Sequence, residues 1–248
     1  MIWNTLRFLF PWFLILGMGV AWGLSFSLAK VAVNHGTAPL TLTVWQSIIA
    51  GILLLVLMFL RKISLPFSKN LLWLCLVIAI CGFIIPGVSL YYAAPHVQAG
   101  VLSITVTLVP ILTYAISIPF GFEKPEFKRI LGLVFGTLAI LLIVIPENSL
   151  PEPEAVPWIL LSCLGSAFYS FEGIVIATKM PEKLNPIGVA CIGNFLAVIF
   201  LLPLLFSSGQ QMSLNWPPDA AGLAIFGISF ISAIAYTLYI YVIKITGP

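Results

Sequence analysis

Runs of about twenty apolar residues alternate along this chain with short segments rich in proline, glycine and charge. Eight runs can be read, at 12–33, 40–60, 71–93, 97–120, 127–146, 157–179, 186–206 and 219–243. Each is long enough to cross a bilayer as a helix rising about 1.5 Å per residue. Segments such as Asn34-His35-Gly36-Thr37-Ala38-Pro39 and Ala94-Pro95-His96 punctuate them. The pattern predicts an all-α polytopic membrane protein. Composition agrees: 61% of the 248 residues are hydrophobic and 8% are charged. A soluble domain carries about 25% charged residues, so this chain has too few to cover a water-facing surface.

The positions of the charges carry more than their sum. Arg7, Arg61, Lys62, Lys69, Lys124, Lys128, Arg129, Lys179, Lys183 and Lys244 all fall at one set of alternate loops and ends. The intervening loops hold Glu147, Glu152, Glu154 and Asp219 and no lysine or arginine. Basic residues gather on the cytoplasmic side of short loops, which places the N-terminus and the end of the chain in the cytoplasm. A cleaved signal peptide is not expected, because the first apolar run exceeds the usual h-region and lacks a small-residue cleavage site. Cys75, Cys81, Cys163 and Cys191 all lie in apolar runs without C-x-x-C spacing, and read as small hydrophobes.

The proline-rich segment from Pro146 to Pro157 separates five runs from three. Across it Ala21-Trp22 aligns with Ala167-Phe168, Pro39 with Pro186, Gly82 and Tyr91 with Gly227 and Tyr236, and Gly100 with Gly247, all at nearly one offset. A repeat of five helices enters the membrane from opposite sides in its two copies. The expected architecture is therefore a pair of inverted repeats, as in many secondary transporters.

Trp22-Gly23-x-x-Phe26-x-x-x-Lys30 with Pro39, Pro110 followed by Gly121-Phe122-Glu123-Lys124, and then Gly132 and Gly136 together resemble the drug/metabolite transporter superfamily, in its EamA-type branch. The resemblance implies inverted five-helix repeats, with eight transmembrane helices present of an expected ten. It makes residues 1–146 a first EamA-like repeat of five helices and 157–248 an incomplete second repeat of three. It also implies a multi-pass protein of the bacterial inner membrane. Where such proteins often carry arginine seven residues after the helix-two proline, this chain has Gln46.

Lys30 and Glu172 are the two lysine, arginine, aspartate or glutamate side chains more than two residues inside the runs, and charge there normally serves a cavity, a partner or the interface. Lys30 lies about 5 Å from the outer end of its run, within snorkelling reach, so interfacial anchor and cavity residue are both open. Glu172 lies about 22 Å deep, where a short carboxylate cannot reach water, and is the proton-coupling candidate. The depth difference of roughly 17 Å argues against the two pairing directly. Trp22, Phe26, Thr107 and Tyr236, on polar and aromatic stripes at helical spacing, complete the expected substrate path together with Tyr169 one turn before Glu172, the polar Asn194 and Gln46, and Tyr92. Such stripes also serve helix packing and interfacial belts, the latter suiting Tyr91 and Tyr92. Pro86, Pro110, Pro119 and Pro203 are candidate kinks. Gly19-x3-Gly23 and Gly132-x3-Gly136 allow close helix contact, within one bundle or between the protomers of a homodimer.

No phosphate-binding G-x-x-x-x-G-K-[ST] occurs, His35 and His96 lack ligand partners, and no basic face suits nucleic acid. No cofactor and no metal are expected, and Gly23-Leu24-Ser25-Phe26 has no base partner for an intramembrane hydrolase. The expected partners are the lipid bilayer and a small-molecule substrate. The expected function is a secondary carrier of small organic metabolites or amphiphiles, outward and proton-coupled through Glu172. The alternative is a truncated, non-transporting membrane protein or assembly partner.

Overall fold

A computed structural model describes residues 2–144 and 153–246. Among them, eight helices stand at the eight predicted runs: α1 (Ile2–Asn34), α2 (Pro39–Leu60), α3 (Lys69–Ala93), α4 (Ala99–Ser117), α5 (Phe127–Val144), α6 (Val156–Lys179), α7 (Pro186–Ser207) and α8 (Ala220–Thr246). All but α5 contain a described stretch long and apolar enough to cross a membrane. The chain is an all-α polytopic membrane protein. Pro146, Glu147, Glu152 and Gly247 lie outside the described residues, as does the side chain of Arg7.

The helix starts follow from local chemistry. Pro39 and Pro186 open α2 and α7 at positions where a missing amide costs nothing. Ser68 Oγ accepts from the Leu71 amide at 3.1 Å, and Asn185 Oδ1 from the Ile187 amide at 3.0 Å. Asp219 accepts from the Gly222 amide at 2.8 Å and from Asn215 Nδ2 at 2.6 Å, and these bonds hold its carboxyl below the usual range.

Two helices are irregular, each beside a proline. In α3 the segment Ile78–Ile84 is a π-helix, where the Ile85 amide reaches the Ile80 carbonyl. Pro86 follows immediately and offers no amide to the turn below it. In α4 the helix breaks at Thr107, between Ala99–Val106 and Leu108–Ser117, three residues before Pro110. Ser166 and Ser170 of α6 donate to the Thr105 and Val109 carbonyls on either side of this break, both at 2.9 Å. Pro203 sits inside an unbroken α7, and Pro119 lies beyond the end of α4, so neither makes a kink of this kind.

The bundle is built on crossed pairs. Helix α2 packs on α7 and α1 on α8, while α3 packs on α6 and on α7. Helix α8 also leans on α2, α4 lies along α6, and α5 touches chiefly α4. Close approach needs small residues. A Cβ on Gly165 of α6 would stand 3.2 Å from the Pro86 Cα of α3, and one on Gly193 of α7 would stand 2.9 Å from Ile78 Cγ2. Gly19, Gly23 and Gly132 meet nothing within 4 Å, whereas Gly136 packs on Ile111. The four cysteines are free thiols.

Candidate functional site

Six helices line a cavity of about 230 Å³ in the middle of the bundle. Helix α1 contributes Trp22, Ser25 and Phe26, α2 contributes Thr43, Gln46 and Ser47, and α6 contributes Tyr169. Helix α3 adds Gly82, Phe83 and Tyr91 where the π-helix turns toward the centre, and α4 adds Val109 and Pro110 at its break. Helix α8 supplies Ser232, Tyr236 and Tyr239. No lining side chain is a lysine, arginine, histidine or carboxylate.

The aromatic residues form a continuous wall. The Phe83 and Tyr236 rings are 4.3 Å apart between centroids, Tyr236 and Tyr239 are 5.7 Å apart, and Tyr239 meets Trp22 edge-on at 5.6 Å. On the opposite side the Tyr91 hydroxyl donates to Gln46 Oε1. Tyr91 and Gln46 tie α3 to α2 beside the cavity as Tyr236 and Glu172 tie α8 to α6.

Glu172 sits directly behind this wall. It is fully buried, and its Oε1 accepts from the Tyr236 hydroxyl. Its Oε2 has no hydrogen-bond partner among the described residues. The pair lies over Gly82, where an added Cβ would meet both the Tyr236 hydroxyl and the Glu172 carboxyl, with Glu172 Cδ 2.7 Å away. Glycine at position 82 makes this arrangement possible.

The sequence-derived candidates separate into two groups. Trp22, Phe26, Gln46, Tyr169 and Tyr236 line the cavity, and Glu172 touches it through Tyr236. Lys30, Tyr92, Thr107 and Asn194 do not line it. Lys30 Nζ donates to the carbonyls of Ala94, Pro95 and Val97 at 2.6, 3.1 and 3.0 Å. Three acceptors occupy its three donors just past the C-terminus of α3, where the helix dipole favours a cation. It therefore fastens α1 to the α3–α4 turn and is not the partner of Glu172. Replacing Lys30 with methionine is expected to cost about 2 kcal/mol, read as a lower unfolding temperature of the purified protein. Specific transport per folded molecule should stay near wild type.

Tyr92 accepts from Gln210 Nε2 at 2.9 Å, outside the cavity. Thr107 is exposed and bonds the Ile104 carbonyl of its own helix at 2.7 Å. Asn194 is buried and bonds the Ala190 carbonyl at 2.9 Å, its Oδ1 finding no partner among the described residues. Gly82 and Tyr91 were missed as site residues, although the repeat alignment already matches Tyr91 with Tyr236. Tyr239, three residues after Tyr236 on α8, also lies outside the candidate set.

Residues 9–145 and 156–248 match the model of a protein family described as the EamA-like transporter family. The chain is 25% identical over 215 residues to an "uncharacterized transporter" of Archaeoglobus fulgidus, covering 84% of this chain and 73% of that protein. It is 24% identical over 235 residues to the "uncharacterized inner membrane transporter YedA" of Escherichia coli K12, covering 92% and 72% respectively.

Proposed function

The chain belongs to the EamA-like transporter family, and from that premise we propose a secondary carrier that moves a small, ring-bearing or amphipathic metabolite through the central cavity. The observation that carries this reading is the uncharged chamber itself. It is walled by aromatic rings and hydroxyls, and the buried Glu172 stands behind Tyr236 in that wall. Such a lining suits solutes that bring an apolar face and a few hydrogen-bonding groups, and disfavours strongly charged ones. We place the protein in the inner membrane, as the name of the Escherichia coli relative says of that protein, with its basic loops in the cytoplasm.

The packing supports an inverted repeat of residues 1–146 and 157–248. Exchanging α1 with α6, α2 with α7 and α3 with α8 turns the α1–α8 contact into α6–α3 and the α2–α8 contact into α7–α3. The α2–α7 contact maps onto itself. The cavity then lies where the two copies meet, and rocking one against the other would open it to alternate sides.

Glu172 is the residue through which protons would couple to export. In the closed wall its carboxyl shares a hydrogen bond with Tyr236 and has no cation to balance a charge. Opening the wall would expose it to water, where it could release a proton. In proteoliposomes with an imposed pH gradient, Glu172→Gln is expected to abolish gradient-driven flux while retaining exchange of substrate across the membrane. Glutamine keeps an acceptor for Tyr236, so the fold should survive. Wild-type dependence on the gradient in this variant would remove Glu172 from the coupling.

A further inference from the structure

A second cavity, of about 490 Å³, lies between α4, α5, α6 and α8 at the end of the bundle that carries the basic loops. Val109, Pro110 and Tyr239 line both cavities, so the two chambers share a wall. They are stacked along the helices. The first uses residues near the middle of α4 and α8, and the second takes Thr113, Tyr114 and Ser117 of α4 with Ile243 of α8.

Two observations mark the second chamber as a place for a solute. Ser117 lines it with its side chain fully buried, and its Oγ has no hydrogen-bond partner among the described residues. A buried hydroxyl left unpaired is costly, and a ligand or water that fills the chamber would satisfy it. The mouth is also built. Arg129 bridges Glu123 at 3.3 Å and Glu126 at 3.2 Å, with its guanidinium carbon 5.6 Å from the Tyr114 ring centroid. The Tyr114 hydroxyl in turn accepts from the Glu126 amide at 2.7 Å and donates to the Lys124 carbonyl at 3.1 Å. Ile111, Leu133 and Ile243 supply the apolar side.

The shared wall is weakly tied. The Tyr239 hydroxyl makes a long 3.5 Å bond to the Tyr169 carbonyl, and its ring rests edge-on against Trp22. The hydroxyl fits because position 173 is glycine, where a Cβ would stand 3.0 Å from it.

We propose that the second cavity is an unassigned vestibule of the passage, taking the same class of small amphipathic solute as the central chamber, with Tyr239 as the movable partition between them. This rests on the carrier reading given above. Its test is independent of any substrate.

Ser117→Cys is made, and membrane vesicles of each orientation are treated with a small, charged, membrane-impermeant methanethiosulfonate, with labelling of the parent chain subtracted. Labelling is expected from the face bearing Lys124 and Lys128, and at least tenfold slower from the other. Adding Tyr239→Ala should make the two faces comparable, and Tyr239→Phe should preserve the difference because the ring remains. If the alanine variant does not fold, Tyr239→Leu serves in its place. No labelling of folded Ser117→Cys from either face would overturn the vestibule. Unchanged sidedness after removal of the ring would overturn the partition. The expected labelling pattern in a protein that moves no solute would instead count against the carrier reading alone.

Discussion

Alanine in place of Gly82 is expected to abolish gradient-driven transport and to destabilise the protein by on the order of 3 kcal/mol. The added methyl enters the space held by the Tyr236 hydroxyl and the Glu172 carboxyl. Side-chain ends usually yield to such an intrusion, but these two cannot do so freely. Glu172 is fully buried, and the Tyr236 ring packs on Phe83 at 4.3 Å between centroids. The hydrogen bond must break or the π-turn of α3 must shift. Flux in proteoliposomes and thermal unfolding in detergent measure the two effects. Combining Gly82→Ala with Tyr236→Phe removes one of the two obstructing oxygens, and should recover part of the stability without recovering coupling. Wild-type stability and flux in Gly82→Ala would contradict the geometry described.

The second large effect concerns the crossing of α3 and α6. Leucine at Gly165 is expected to cost at least about 3 kcal/mol and to deplete folded protein from the membrane. The nearest neighbours of a Cβ there are the Pro86 Cα at 3.2 Å, Ser89 Cβ at 3.4 Å and the Pro86 carbonyl oxygen at 3.5 Å. Backbone cannot rotate out of the way as a side-chain end can, so the helices must separate. Leucine at Gly132, which has open space around it, is the control and should fold as wild type.

The spans were legible because each run is long, apolar and bounded by proline, glycine or charge. Its ends fall within a few residues of the helix ends, save that α1 begins at Ile2. Glu172 stood out for the same reason, as a carboxylate far from any boundary. Its pairing with Tyr236, itself a candidate, did not, because Tyr236 lies on another helix and no helical spacing links the two. Tyr92 was preferred to Tyr91 as a path residue, and the structure puts Tyr91 in the cavity. A π-helix at Ile78–Ile84 precedes both residues. An extra residue in the turn shifts the facing of everything after it, and regular spacing cannot anticipate the shift. Lys30 was readable as either an anchor or a cavity residue. The carbonyls that decide the matter belong to a turn about sixty residues away in the chain. Thr107 was expected on the path, and the structure leaves it exposed at the break in α4.

Ser166 and Ser170 reach across to α4 and take hold of its main chain, not its side chains. Every amino acid presents a carbonyl, so this attachment is indifferent to what α4 carries at positions 105 and 109. Val106 and Val109, which face the central chamber, are therefore free to change without unseating the helix. The scaffold separates what holds the wall in place from what the wall displays. A lineage built on it could exchange one cargo for another by altering a few α4 side chains, keeping the serines of α6 as fixed points.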